Sequence, residues 1–302
     1  MQKVKKAVIP VAGFGTRFLP ITKAIPKELL PIVDKPVLQF LVEEAVAAGI
    51  EEIVFVVSEG KEAIRNHFSP ALPLEKKLEE KGEAKLLAEI RQISNLAKFD
   101  FVNQEKMLGD GNAILCAREK IGRESFLVLF GDDLIFGEKP AAVQLLEIFE
   151  KENASVVGLQ EVAKNEVQNY GIAGLRLALD SPRESGDQGN DSFEIEKFVE
   201  KPQPSEAPSN LAIVGKYVCT PAIFEILERN PNASGEIRLI DALSILLKKE
   251  KVFGKILKGE HFDCGDKFGL WRANLEFGLR HPGISEKAEK YLREIAAREQ
   301  KN

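Results

Sequence analysis

Val8 to Pro36 reads V-I-P-V-A-G-F-G-T-R-F-L-P-I-T-K-A-I-P-K-E-L-L-P-I-V-D-K-P. An apolar run leads into Gly13 and Gly15, then Arg17, with Lys27 ten residues later between prolines. Glycines let backbone N–H groups close on an anion, and Arg and Lys neutralise the charge the backbone leaves. A strand-borne loop of this composition suits a triphosphate. A dinucleotide-binding turn would need a third glycine where Phe18 stands, and no G-K-[ST] follows to make a Walker loop. The bland alternative, a glycine turn without a ligand, gains nothing from two adjacent cations.

Further groups with chemical potential lie downstream. Gly131-Asp132-Asp133 follows an apolar run and offers a carboxylate, although such a turn also occurs merely capped. His261-Phe262-Asp263-Cys264-Gly265-Asp266 offers a second, in Asp263, with Asp133 and Asp266 as further options. A hard Mg²⁺ ion takes one or two carboxylates together with phosphate oxygens. In Phe198-Val199-Glu200-Lys201-Pro202 the Lys is a point-charge partner for a phosphomonoester and the Glu an acceptor for sugar hydroxyls. An isolated E-K pair also fits an exposed strand end. Gln104, after a third apolar run, carries both donor and acceptor, as reading a nucleobase edge requires, and it equally fits a solvated turn. His67, His261 and His281 form neither a metal spacing nor a nucleophile–base arrangement.

These groups need a scaffold that gathers them. The near-continuous apolar runs 7–11, 52–57, 99–102 and 126–130 predict buried strands, alternating with helical patterns such as 37–48 and 112–120. That alternation predicts right-handed crossovers and a mostly parallel sheet, with ligands beyond the carboxyl ends of the strands. The glycine loop and Gly131-Asp132-Asp133 both fall at that edge. Segments 154–162, 171–178, 193–199 and 211–218 predict antiparallel additions, with a hairpin loop over 180–191 and another loop over 202–210. Helices are expected at 221–229, 239–248, 267–279 and 286–299, and 74–93 reads as a charged amphipathic helix or helix pair. One mixed α/β domain is expected, with a nucleotide half (1–135), a second-substrate half (136–266) and C-terminal helices (267–302).

The chain has 302 residues, 44% of them hydrophobic, enough for a large core. A net charge of −5 argues against broad affinity for nucleic acid. Cys116, Cys219 and Cys264 are dispersed, which favours reduced thiols over a zinc site or disulfide framework. The opening apolar run is too short for a signal segment and no stretch is long enough to cross a membrane, so a soluble, cytoplasmic protein is expected.

G-F-G-T-R-F-L-P followed by P-K-E-L-L-P-I-V-D-K-P resembles the signature of the sugar-1-phosphate nucleotidylyltransferases, and the P-K-E-L-L-P-I form is most similar to its uridylyl-transferring branch. The resemblance implies a Rossmann-like three-layer fold, UTP and glucose 1-phosphate as substrates, Mg²⁺, and a homodimer or homotetramer. It implies nucleotide contacts at Ala12, Gly13, Gly15, Thr16 and Arg17, with Arg17 and Lys27 acting at the phosphates. Gln104 and Gly109 match the base-contacting positions, although Asn112 stands where the family usually has His. Asp132 and Asp263 match the metal pair. Gly171, Glu200 and Lys201 match the Y-G-x and V-E-K-P sugar-phosphate motifs. Glu236 falls in a G-E-I-x-L segment near the sugar, with Ile240 replacing a polar Thr and Asp241 read as structural. The implied catalytic set is Arg17, Lys27, Asp132 and Lys201. The same scaffold also serves dTTP or other nucleotides, and a non-catalytic nucleotide sensor on this fold is the alternative from another class.

Overall fold

Four apolar runs pair in parallel as β1 (Lys6–Pro10), β2 (Glu52–Val57), β3 (Lys98–Asn103) and β4 (Phe126–Leu129), in the spatial order β3-β2-β1-β4. The structure, a computed structural model, describes residues 3–176, 192–229 and 235–299; the expected 180–191 hairpin loop lies outside them, as do positions 177–178 of the expected 171–178 strand. The runs are continuous because both sheet faces are covered. Ala7, Ile9, Ile53 and Phe55 pack with Leu38 and Leu41 of the helix Val37–Ala47 and Leu145 of the helix Ala141–Glu152. Val8, Val54 and Val56 face the other way, toward Ile114, Phe224 and Leu243. Alternate residues of one strand thus enter two different cores.

Beyond β4 the sheet continues with β5 (Ser155–Glu161), β6 (Gly171–Leu175), β7 (Ser192–Glu200), β8 (Leu211–Cys219) and β9 (Val252–Ile256). The full order is β3-β2-β1-β4-β8-β5-β9-β7-β6. Antiparallel pairing holds for β8 with β4 and β5, and for β7 with β9 and β6, as expected for this half. β9, a strand outside the expected segments, runs parallel to β5 and is reached through the helices Ala222–Arg229 and Leu239–Leu246. The expected 112–120 helix is two, Asp110–Cys116 and Arg118–Ile121, and the 74–93 pattern is a pair, Leu72–Glu80 and Ala84–Ser94, separated at Gly82.

The chain leaves β1 toward β2 and β3 on one side, while β4 lies on the other, so the crevice between their carboxyl ends is a topological switch point. The glycine loop follows β1 there and Gly131-Asp132-Asp133 follows β4. A two-stranded ribbon, Asp133–Phe136 with Glu260–Asp263, sets Asp263 directly opposite Asp133. Among the described residues no helix is long and apolar enough to cross a membrane.

Candidate active site

The loop after β1 is pinned from both sides. Gly15 adopts φ +65°, a left-handed conformation natural to glycine, and its carbonyl accepts a 2.8 Å bond from the Thr22 hydroxyl. The Ser58 hydroxyl donates to the Ala12 carbonyl at 2.7 Å. No atom lies within 4 Å of where a Gly13 side chain would begin, so that face of the loop is open. Thr16 and Arg17 form a short 3₁₀ turn, from which the Arg17 Nη1 reaches the Gly265 carbonyl at 3.4 Å.

Lys27 lies 2.5 Å from Asp132 Oδ2. Burial works against its charge, but the Asp132 carboxylate, supported by Glu28 and Asp263, outweighs it and holds the Lys27 pKa above its ordinary value. Glu28 is buried and paired with Lys61 at 2.7 Å; burial pushes its pKa up against the pull of that lysine. The pair fastens the P-K-E-L segment to the loop after β2, which holds Lys27 in place.

Asp132 and Asp263 converge on Gly265. A side chain there would overlap Asp132 Oδ2 and stand 2.8 Å from Asp263 Oδ1, so only glycine permits this approach. The Gly265 N–H donates to Asp263 Oδ1 and the Cys264 N–H to the Asp132 carbonyl, both at 2.8 Å. Burial raises the Asp263 pKa, with the negative charges of Asp133, Asp132 and Asp266 adding to it. The other two carboxylates are engaged elsewhere. Asp133 meets His261 Nε2 at 2.5 Å and accepts the Gly215 N–H at 3.0 Å; burial opposes its charge, but His261, Lys216 and that N–H hold its pKa below the usual range. Asp266 caps the helix Lys267–Arg280, accepting from Phe268 N at 2.7 Å and Gly269 N at 3.1 Å. Among the described residues no cluster of three or more metal-ligating side chains occurs. Asp132 and Asp263 are hard oxygen donors, and two carboxylates completed by substrate phosphates suit Mg²⁺.

Gln104 sits at the end of β3, buried, with its N–H on the Val57 carbonyl at 2.8 Å. Its Nε2 donates to the Gly109 carbonyl at 3.0 Å and to Asn112 Oδ1 at 2.9 Å. With Phe14, Ser58 and Asn103 it lines a cleft of about 610 Å³ that adjoins the glycine loop. Glu236 lies against Gly109, and the segment between them is laced by Ile237 N to Leu108 O at 2.7 Å and Gly111 N to Ile237 O at 2.9 Å.

β6 folds back to pair with β8 as well as β7, and there Glu200 ends β7 opposite Gly171, the first residue of β6, with a Glu200 carboxylate oxygen close against that glycine. Lys201 takes φ +45°, uncommon for a residue with a side chain, and its N–H donates to the Tyr170 carbonyl at 3.0 Å. Its Nζ stands 3.8 Å from Glu200 Oε1, and the side chain is 61% exposed. Ile240 covers Gly171, while Asp241 pairs with Arg238 at 2.8 Å inside the first turn of its helix.

Two groups therefore form: Arg17, Lys27, Asp132 and Asp263 at the switch point, and Gly171, Glu200 and Lys201 where β6 folds back to pair with β8, with Gln104, Gly109 and Glu236 along the cleft side. Sequence reasoning missed the Glu28–Lys61 pair, the His261–Asp133 contact and Asp110. Asp110 accepts Gly111 N at 2.6 Å and Leu239 N at 3.0 Å, tying the loop before Asn112 to the G-E-I-R-L segment, and burial raises its pKa. Its signal was legible: an acid ahead of an apolar helical run is a helix-start residue.

The nucleotidyl transferase family pattern matches residues 6–278 of the chain. A UTP–glucose-1-phosphate uridylyltransferase of Bacillus subtilis is 43% identical over 301 residues, covering 99% of this chain and 100% of that protein. The UTP-bound UGPase of Acinetobacter baumannii superposes with a TM-score of 0.88 at 38% identity, over 96% of this chain and 99% of that one. A UDP-glucose pyrophosphorylase complexed with UDP-glucose gives a TM-score of 0.78 at 38% identity, over 91% and 98% of the two chains.

Proposed function

The chain belongs to the nucleotidyl transferase family, and we propose that within it the protein is an enzyme transferring a uridylyl group from UTP to α-D-glucose 1-phosphate, giving UDP-glucose and pyrophosphate. The observation that carries the reading is the meeting, at one switch point, of an open glycine loop, Arg17, Lys27 and the Asp132–Asp263 pair. The relatives named for UTP and UDP-glucose support the choice of substrates.

In this reading a phosphate oxygen of glucose 1-phosphate attacks the α-phosphorus of UTP in line, the bond to the β-phosphate oxygen breaks, and pyrophosphate leaves. The sugar phosphate is already ionised, so no general base is needed and no covalent intermediate forms. Backbone groups of Ala12, Gly13, Gly15 and Thr16 bind the phosphates, while Arg17 and Lys27 meet the charge that develops as the bond breaks. Lys201 holds the incoming phosphate, and Gly171, Glu200 and Glu236 orient the glucose. Gln104 and Gly109 receive the base. Asp132 and Asp263 would hold Mg²⁺, which neutralises phosphate charge when bound. Lys27, now on Asp132, would turn to phosphate as substrate enters.

UTP and glucose 1-phosphate are cytoplasmic metabolites, which makes the cytoplasm the working compartment. Tyr291 and Ile295 on the helix Ser285–Glu299 offer exposed apolar contact for a homodimer or homotetramer. Pyrophosphate release measured with UTP and a panel of sugar 1-phosphates tests the reading. Turnover greatest with glucose 1-phosphate is expected, and none with that pair overturns it.

A further inference from the structure

We infer that His261 is a positioning residue that keeps Asp133 off the metal, so that the site offers two carboxylates, Asp132 and Asp263, and favours Mg²⁺ over Ca²⁺. This role rests on the metal assignment in the proposed function and deepens it to the choice of ion.

Asp132, Asp133 and Asp263 all lie where β4 gives way to the ribbon, yet among the described residues no three ligating side chains converge. The register alone would bring them together. Asp133 stands directly opposite Asp263, so the two side chains share one face of the ribbon. Like charges placed opposite one another repel unless a cation joins them. The Asp133 charge is felt at Asp263, whose pKa it helps to raise.

His261 draws Asp133 aside. It sits two residues before Asp263 on the same strand, hence on the same face and diagonal to Asp133. Its Nε2 lies 2.5 Å from Asp133 Oδ1, and because an ionised carboxylate only accepts, the imidazole donates. Asp133 Oδ2 takes the Gly215 N–H at 3.0 Å, in a socket where a side chain on Gly215 would overlap that oxygen. Both Asp133 oxygens are thus engaged away from Asp263. Lys216 adds positive charge nearby, but its Nζ is bonded to Glu44 at 2.8 Å and does not stand in for the imidazole. Without His261, Oδ1 would be a spare oxygen donor on the face that carries Asp263. Mg²⁺ takes one or two carboxylates and keeps its waters, whereas Ca²⁺ accepts a larger shell of oxygens and binds more tightly as carboxylates are added.

Mn²⁺ bound to the protein without substrates, followed by electron paramagnetic resonance and displaced by Ca²⁺ or Mg²⁺, reads the preference without turnover. His261→Leu should shift the Ca²⁺/Mg²⁺ affinity ratio toward Ca²⁺ by about tenfold, on the order of one added carboxylate. His261→Gln, whose amide nitrogen can reach Asp133 as Nε2 does, should keep the wild-type ratio. Adding Asp133→Asn to His261→Leu should restore it, which a merely structural role would not require. An unchanged ratio in folded His261→Leu, an equal shift in His261→Gln, or a shift that survives Asp133→Asn overturns the inference. Should circular dichroism show His261→Leu unfolded, Asp133→Asn alone decides: an unchanged ratio upholds the inference, and a shift away from Ca²⁺ marks Asp133 as a ligand and overturns it. Mn²⁺ that binds Asp132→Asn as well as the wild type removes the metal assignment and this inference with it. The expected ion preferences in a protein that makes no UDP-glucose would sink the proposed reaction alone.

Discussion

The two ends of the site are built differently. At the switch point Lys27 is paired with Asp132 at 2.5 Å, its neighbour Glu28 is locked to Lys61 in the interior, and Asp132 and Asp263 close on a glycine. Where β6 and β7 meet, Lys201 is mostly in solvent, 3.8 Å from its carboxylate neighbour, on a backbone turned left-handed. The first end is organised before any ligand arrives; the second holds its lysine ready in water. Preorganised charge serves the reacting centre, where reorganisation would raise the barrier. A docking charge gains from reach and tolerates looseness. In the proposed reading the contrast separates groups that act on the reaction from groups that act on binding.

Four experiments press on that contrast. Saturating EDTA should abolish turnover, because Asp132 and Asp263 alone add negative charge beside the phosphates; undiminished activity would remove the metal from the switch-point end. Lys27→Ala should lower kcat by about 10²–10³ with little change in either KM, the cost of one transition-state interaction, read by steady-state kinetics. Lys61→Met leaves the buried Glu28 carboxyl without its lysine partner and should cost about 3–5 kcal/mol in urea denaturation, whereas Lys201→Met should cost less than about 1 kcal/mol. Equal losses would erase the difference between the two ends. Lys201→Ala should raise the KM for glucose 1-phosphate about tenfold and leave that for UTP unchanged, the worth of a single hydrogen bond to a charged phosphate. An unaltered KM for the sugar phosphate would dismiss Lys201 from its role.

Much of the parallel half is readable from the chain because β1 to β4 are buried on both faces, and such strands appear as unbroken apolar runs. The glycine loop and Gly131-Asp132-Asp133 could be placed at the ligand edge for the same reason. β9 could not. Val252–Ile256 contains Gly254 and Lys255, and its partner β5 lies about a hundred residues earlier, so nothing local marks it as a central strand. Nor could adjacent aspartates be told apart. Asp133 starts a ribbon strand and turns inward to His261, while Asp132, one position earlier, meets Lys27. That division follows from which way successive residues point, a property of the folded strand. The cap at Asp266 was readable in principle, since an acid immediately before a helical pattern is a start signal.

The ribbon that joins Asp133–Phe136 to Glu260–Asp263 also sets an order of assembly. As the polypeptide leaves the ribosome, the phosphate loop, Lys27 and Asp132 emerge early, but His261 lies 128 positions after the aspartate it contacts. A nascent chain of two hundred residues would already possess its anion cradle and still lack the second carboxylate. In the proposed reading the catalytic centre is therefore among the last parts to form, and a chain released before that segment would lack one of the two carboxylates assigned to the metal.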